Sequence, residues 1–329
     1  MSTDQTRSKR DIATSLLVMI ATDREKLLVV LIVALIAAMA ILEPATFPTS
    51  GNAAVVLLDT AQTGILACGM MVLMISGMFD LSIGGILAFS GIAAGIAAKH
   101  WGFPPIGAFL VGCGWGMVLG VINGVLVTQF RINALIATLA TLSIYRGGLQ
   151  LVSGAGVTNI GNGFTMFGQT QILGIYSPFW FMAAIVLLFG FLVGRTRYFR
   201  QAYYIGGNAR AAKLSGINVD RTVFSFFVIM GLLAGLAGAL LASRLNTAVV
   251  LAGQGVELKV ITAVVLGGAS LSGGVGSILG AFLGVLLMAL LQNAMIIAGI
   301  SPFWQLIVVG FVLLVSVGLD QLARSKARI

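Results

Sequence analysis

Charge is what this 329-residue sequence has least of: 9% of its residues are charged and 59% are hydrophobic. That leaves too little polar surface to cover a water-soluble globule. Histidine is all but missing. His100 stands alone beside Lys99 and Trp101, with no second His, Cys or carboxylate nearby, so the sequence offers no metal site. Cysteine is confined to Cys68 and Cys113, both in apolar runs, where they read as small core residues rather than a disulfide. There is no G-x-x-x-x-G-K-[ST] run. The chain therefore lacks the loop that cradles nucleotide phosphates and is not expected to hydrolyse ATP.

What is present is apolar length. Ten stretches recur, at roughly 27–42, 54–75, 83–98, 105–127, 132–152, 178–194, 222–242, 257–274, 278–298 and 303–320. Runs of this length span a bilayer as helices. The 43 glycines let such helices approach closely. The expected fold is an all-α polytopic membrane protein of about ten transmembrane helices. Ahead of the first run lie Arg7, Lys9, Arg10, Arg24 and Lys26, and Ile12, Leu16, Met19 and Ile20 fall at helical spacing. Residues 1–26 thus read as a cytoplasmic segment with an amphipathic helix on lipid, 27–320 as one transmembrane domain, and 321–329 as a basic tail. The run 27–42 reads as an uncleaved first span rather than a signal peptide, because many spans follow.

The formal charge of +9 fits Lys and Arg gathered in cytoplasmic loops better than a nucleic-acid partner. With both termini inside, Arg131, the 195–221 loop and Arg324, Lys326 and Arg328 also fall inside. Lys99 and Arg244 fall outside, and residues 153–177 carry no Lys, Arg, Asp or Glu. An even number of spans fits this bias. LGVINGVL at 119–126 is repeated as LGAFLGVL at 279–286, and the same offset relates Asn133 to Asn293. Five spans separate the copies, so they form an inverted repeat, a common ground plan of transporters.

Ionisable residues near the spans are few: Asp59, Asp80, Arg146, Glu257, Lys259 and Asp320. Each reads as reaching the interface from a span end. No chain of carboxylates crosses the membrane, which argues against an ion-driven carrier. The polar residues within spans are Asn123, Asn133, Thr138, Thr141, Gln292 and Asn293. They either join helices by hydrogen bonds or line a path for an uncharged, hydroxyl-rich solute. Within GMFDLSIGG at 77–85, Asp80 or Ser82 is placed to cap the next helix, or to take part in gating.

One hydrated stretch remains, YYIGGNARAAKLSGINVD at 203–220. Asn208 suits an N-cap, Ala209 to Leu214 are mostly strong helix formers, and Gly216 suits a C-cap. A short cytoplasmic helix between spans is either a docking element or a connector.

Three ordered pieces resemble one family: FDLSIGG at 79–85, GGN at 206–208 with LSGINV at 214–219, and ELKVITAVVLGG at 257–268 with SLSGGVG at 270–276. Over roughly 50–320 the chain resembles the membrane permeases of ribose-type ABC sugar importers, which implies a ribose-like pentose or hexose as cargo. The alternatives are the same architecture for a nucleoside, a branched-chain amino acid or a furanone signal, or a stand-alone facilitator or channel. The resemblance implies a dimer with a second copy or a paralogue, a cytoplasmic ABC ATPase pair that carries ATP and Mg, and an extracytoplasmic sugar-binding protein. The chain itself would bind no cofactor and sit in the cell inner membrane. Residues 203–220 would hold the coupling helix, with Asn208, Ala209, Arg210, Ala211, Ala212, Lys213, Leu214, Ser215, Gly216 and Ile217 at the ATPase. Such permeases often carry an acid after GGN, where this chain has Ala209. That leaves Arg210, Lys213 and Arg221 as the expected partners of acidic ATPase residues. LSGG at 271–274 looks like the ABC ATPase signature. With no nucleotide-binding domain around it, it reads as a tight turn between helices.

Overall fold

The computed structural model describes residues 24–161 and 163–327, with side chains as far as Gly318. The expected amphipathic helix at 12–20 and the charges at 320–328 lie outside that description. The chain is a bundle of helices: α1 (Arg24–Leu42), α2 (Ser50–Ile75), α3 (Ile83–Lys99), α4 (Pro105–Thr128), α5 (Ala134–Ser153), the short α6 (Met166–Gln169), α7 (Ser177–Arg195), α8 (Arg197–Leu214), α9 (Val219–Leu245), α10 (Val256–Leu266), α11 (Ile278–Ile297) and α12 (Pro302–Ala327). Seven of these, α1, α2, α4, α5, α7, α9 and α11, are long and apolar enough to cross a membrane. The protein is therefore a multi-pass membrane protein.

The ends of these helices follow from local chemistry. Thr49, Asn133, Asn218 and Ser277 each accept a backbone amide in the first turn of α2, α5, α9 and α11. Asn246, at φ 50°, closes α9 in the left-handed conformation that asparagine tolerates. Polar 153–177 is not a plain loop. Its β1 (Gly156–Thr158) pairs antiparallel with β4 (Thr247–Val249), and β2 (Gln171–Ile172) pairs with β3 (Ile175–Tyr176). Lys99 donates to the Thr158 carbonyl on this face. The opposite end of the bundle gathers Arg131, Asp220 and α8.

The 257–274 stretch departs from expectation. Helix α10 stops at Leu266 after 11 residues, roughly half of a ~30 Å hydrocarbon core at 1.5 Å per residue. Residues 267–277 then run without helix, because Gly268, Gly273, Gly274 and Gly276 all take positive φ, which costs glycine nothing. The 195–221 loop also departs. Helix starts at Arg197, burying Phe199, Ala202 and Ile205 at helical spacing.

The interior is built on α2 and α9, whose apolar windows are 78% and 67% buried. Helix α9 meets α4 glycine to glycine. A Cβ at Gly231 would sit 2.6 Å from the Gly120 Cα, and one at Gly235 would sit 3.1 Å from the Gly116 Cα. Further along, a Cβ at Gly238 would overlap the Leu87 carbonyl of α3. Gly280 and Gly284, the counterparts of Gly120 and Gly124 at the 160-residue offset, likewise face backbone, against Gly267 just past α10 and Ala263 within it. Without a hydrophobic drive between helices in lipid, such small-residue contacts supply the association.

Gly231→Ala is expected to push α4 and α9 apart at a cost of about 1–3 kcal/mol. Gly114→Ala, where a Cβ meets nothing within 4 Å, is the matched control. Thermal melting in detergent followed by size-exclusion chromatography should separate the two variants. Equal melting would show that this contact does not limit stability.

Candidate coupling surface and solute path

Helix α8 is two helices in one. Asn208 breaks it with φ −161° and ψ 98°, and its side-chain oxygen accepts the Ala211 amide at 3.0 Å. A fresh six-residue helix starts there. It closes on Gly216 at φ 85°, with Gly216 N–H donating to Lys213 and Ile217 N–H donating to Ala212. Those two bonds are the Schellman pattern, and they satisfy the orphan carbonyls.

Only Ala212 of this helix is buried, while Ala209, Arg210, Ala211, Lys213, Leu214, Ser215 and Gly216 are exposed. Leu214 is 85% exposed, an apolar side chain next to Lys213. Ile217 is half-buried. A cleft of about 630 Å³ along the helix is lined by Arg131, Arg210, Lys213 and Asp220. Arg131 and Asp220 pair across it at 3.3 Å, an exposed contact worth about 0–1 kcal/mol.

Just before the kink, three chain segments meet at glycines. A Cβ at Gly206 would overlap the Ile75 carbonyl at the end of α2. A Cβ at Gly273 would stand 2.9 Å from the Gly206 Cα and 3.0 Å from the Gly77 Cα. The Gly274 amide donates to the Ile75 carbonyl at 2.8 Å. Tyr203 donates to the Gly276 carbonyl at 2.8 Å. Burial raises its phenol above the ordinary value, outweighing nearby Arg200, so the hydroxyl stays protonated and remains a donor. The stretches at 77–85, 206–208 and 270–276, far apart in sequence, are thus one junction in space.

From that junction the break at 76–82 leads to a buried polar knot. Asp80 and Ser82 are both 0% exposed. The Asp80 carboxylate accepts from the Ser82 amide at 2.8 Å and the Ser82 hydroxyl at 2.6 Å. Asn123 of α4 donates to Asp80 Oδ2 at 3.3 Å and to the Ser82 hydroxyl at 2.7 Å. The Tyr145 hydroxyl of α5 reaches two acceptors on α4, the Leu119 carbonyl at 2.9 Å and the Asn123 side-chain oxygen at 3.1 Å. Ser82 stands at the N-cap position of α3, yet its hydroxyl makes no bond to the helix. It is spent on Asp80 instead.

The other polar residues expected within spans fall in different places. Thr138 is buried and bonds back to Ala134, and buried Thr141 bonds to Thr138. Asn133 is exposed, caps α5 and lines a cleft with Gly77, Phe79 and Arg131. Asn293 forms a reciprocal amide pair with Asn52 at 3.1 and 2.7 Å. Gln292 beside it is half-buried. On α5 the small or polar residues Ala140, Ser143, Gly147 and Gln150 are exposed at spacings of three and four.

The charges do not simply reach for the interface. Lys259 pairs with Asp59 at 2.8 Å, and Arg146 donates to the Val250 and Ala252 carbonyls at 3.1 and 2.8 Å. Partners some 100 to 200 residues away leave no mark in the sequence. Cys68 and Cys113 are buried free thiols. Among the described residues, no three His, Cys, Asp or Glu side chains gather.

Asn208→Ala removes the cap and should cost about 1 kcal/mol of local helix stability. Faster amide hydrogen exchange at 209–216, with the rest of the bundle unchanged, is the expected result. Unchanged exchange would mean that packing of Ala212 alone holds the turn.

Residues 52–317 match a family model described as branched-chain amino acid transport system / permease component. The ribose import permease protein RbsC of Bacillus subtilis (strain 168) is 41% identical over 268 residues, covering 80% of this chain and 82% of that one. The L-arabinose transport system permease protein AraH of Escherichia coli (strain K12) is 37% identical over 272 residues, 82% and 83% of the two chains. The ribose import permease protein RbsC of Escherichia coli (strain K12) is 36% identical over 302 residues, 90% and 93% of the two. No solved structure matches the chain. The chain belongs to this permease family, as the three motif stretches that converge at its glycine junction indicate.

Proposed function

We propose that this chain is the membrane permease of a binding-protein-dependent ABC importer that carries a monosaccharide such as ribose, arabinose or a similar pentose. The observation that carries this reading is the likeness, over at least four-fifths of the chain, to permeases named for ribose and L-arabinose. The chemistry agrees with an uncharged cargo. The polar residues expected along a path are amides and hydroxyls, Lys259 is paired with Asp59, and Arg146 is bound to carbonyls.

In this reading the ten apolar stretches are ten passes. Both termini face the cytoplasm, and the membrane is the cell inner membrane. Two permeases form the path. A separate cytoplasmic ATPase pair binds ATP and Mg. A soluble sugar-binding protein docks on the face built from 153–177 and 244–256. The 209–214 helix enters a groove of the ATPase, with Leu214 as apolar anchor and Arg210, Lys213 and Arg221 facing acidic side chains. When ATP closes the ATPase pair, the helix moves with it, and the spans switch from outward-open to inward-open. A delivered sugar needs no tight site on the way, since tight binding would slow its release.

Affinity purification of the tagged chain from its native membranes tests the reading. Recovery of a P-loop ATPase is expected. The double charge reversal Arg210→Glu and Lys213→Glu should lower that recovery about tenfold, roughly 1.4 kcal/mol. Gly216→Pro should leave ATP hydrolysis running while uptake fails. Recovery of the chain alone, with uptake that persists after ATP depletion, would make it a facilitator instead.

A further inference from the structure

The Asp80 knot is more than the bundle's stability requires. A buried carboxylate bound only by neutral donors is a costly tie. An amide or hydroxyl would accept the same bonds with less loss of hydration. Among the described residues, its donors are the Ser82 amide, the Ser82 hydroxyl and the Asn123 amide, and no cation. As an exchangeable acceptor, however, a carboxylate is well suited. It offers about four lone-pair sites and brings no donor that must itself be satisfied. Here the load is uneven. Oδ1 holds both bonds of Ser82, and Asn123 lies 3.5 Å from it. Oδ2 carries only an Asn123 contact at 3.3 Å, the shorter of that amide's two carboxylate contacts. The entry of α3 hangs on Oδ1, while the Asn123 amide of α4 spans both oxygens and makes its shortest bond, 2.7 Å, to the Ser82 hydroxyl.

The position of the knot matters as much as its chemistry. Gly77, three residues before Asp80, packs against Gly206 and Gly273 just ahead of the Asn208 kink. Beyond Asp80, Asn123 leads to Tyr145 on the buried side of α5. The far side of α5 carries exposed Ser143, Gly147 and Gln150. Between the exposed 209–214 helix and those residues, the segment 76–82 and its carboxylate make a continuous connection of backbone contacts and hydrogen bonds.

We propose that Asp80 is a positioning residue for transport: through it, displacement of the 209–214 helix reaches α4 and α5. The inference rests on the coupling reading of that helix. When the glycine junction shifts, 76–82 moves with it. The carboxylate keeps the Ser82 amide satisfied while Asn123 shifts between its two oxygens. Helices α4 and α5 then move without leaving a buried polar group unpaired.

The test uses the permease purified with its own ATPase and binding protein and reconstituted in proteoliposomes. Uptake of radiolabelled ribose, arabinose or xylose, whichever the binding protein retains, is read together with phosphate release. Asp80→Asn keeps an acceptor for Ser82, and a flip of the Asn123 amide lets the two side chains bond, so the fold has a satisfied network. Sugar taken up per ATP hydrolysed should fall on the order of tenfold in Asp80→Asn, with hydrolysis held within about twofold. Tyr145→Phe, which removes the hydroxyl's bonds to the Asn123 side chain and the Leu119 carbonyl and leaves the Asp80–Ser82–Asn123 contacts in place, should lower the same ratio several-fold. It carries the test alone if Asp80→Asn fails to assemble. A purely structural knot would lower uptake and hydrolysis together. That parallel loss, or an unchanged ratio in both variants, overturns the proposal. Absence of ATP-driven uptake in the wild-type complex is a different result, and it overturns the importer reading along with this one.

Discussion

Lipid offers no hydrogen bonds to a broken helix, and the shape of this protein is set by how it satisfies two breaks without water. At 76–82 the chain leaves α2, and at 267–277 it leaves α10 after only 11 residues. Each break frees amides and carbonyls. The two breaks meet the Asn208 kink, and they answer part of one another's need. The Gly274 amide takes the Ile75 carbonyl, and Tyr203 takes the Gly276 carbonyl. Backbones can approach this closely only where side chains are absent, hence Gly77, Gly206, Gly273 and Gly274 at one point. The same economy recurs along α9, where Gly231, Gly235 and Gly238 bring α3 and α4 into backbone contact.

That constraint explains why the buried charges are where they are. An ionisable group in a span must find a partner inside the protein or bear a large desolvation cost. Lys259 and Asp59 find each other across α10 and α2. Arg146 finds the carbonyls that the 250–252 turn leaves free. Asp80 has neutral donors only among the described residues, and it sits where a break has to be held. None of these groups forms a relay across the membrane. Under the importer reading, energy would enter at an exposed surface, and the kinked, basic end of α8 is an exposed element joined to both breaks; otherwise flow is passive.

Much of this was legible in the sequence, and the reason is periodicity and punctuation. Each of the ten apolar stretches contains one helix. Asn208 and Gly216, picked out by capping chemistry, do start and stop the short helix between them. What could not be read were relations between distant segments. The LSGG run at 271–274 looks like a turn in isolation; its contacts with Gly77 and Gly206 make it one wall of the junction. Asn133 and Asn293, linked by the repeat, do different jobs: one caps α5 and the other pairs with Asn52, a residue with no signal of its own. The first half of α8 was readable in principle from Phe199, Ala202 and Ile205, but its many Arg and Tyr residues mask the stripe. The early end of α10 was hidden because a hydropathy window does not distinguish a helical glycine from one at positive φ.

The breaks also bear on why a permease of this kind can be moved at all. A bundle of uninterrupted helices joined by glycine contacts is stiff: displacing one backbone by a fraction of an ångström meets another backbone at once. A segment that is already non-helical has lost little to lose, and it can rotate about its ends. Both such segments here touch the same few residues before Asn208. A push there would reach both the α2–α3 break and the α10–α11 break; the related glycine pairs lie on α4, as Gly120 and Gly124, and on α11, as Gly280 and Gly284. A junction of bare glycines transmits that push with the least side-chain slack between input and output.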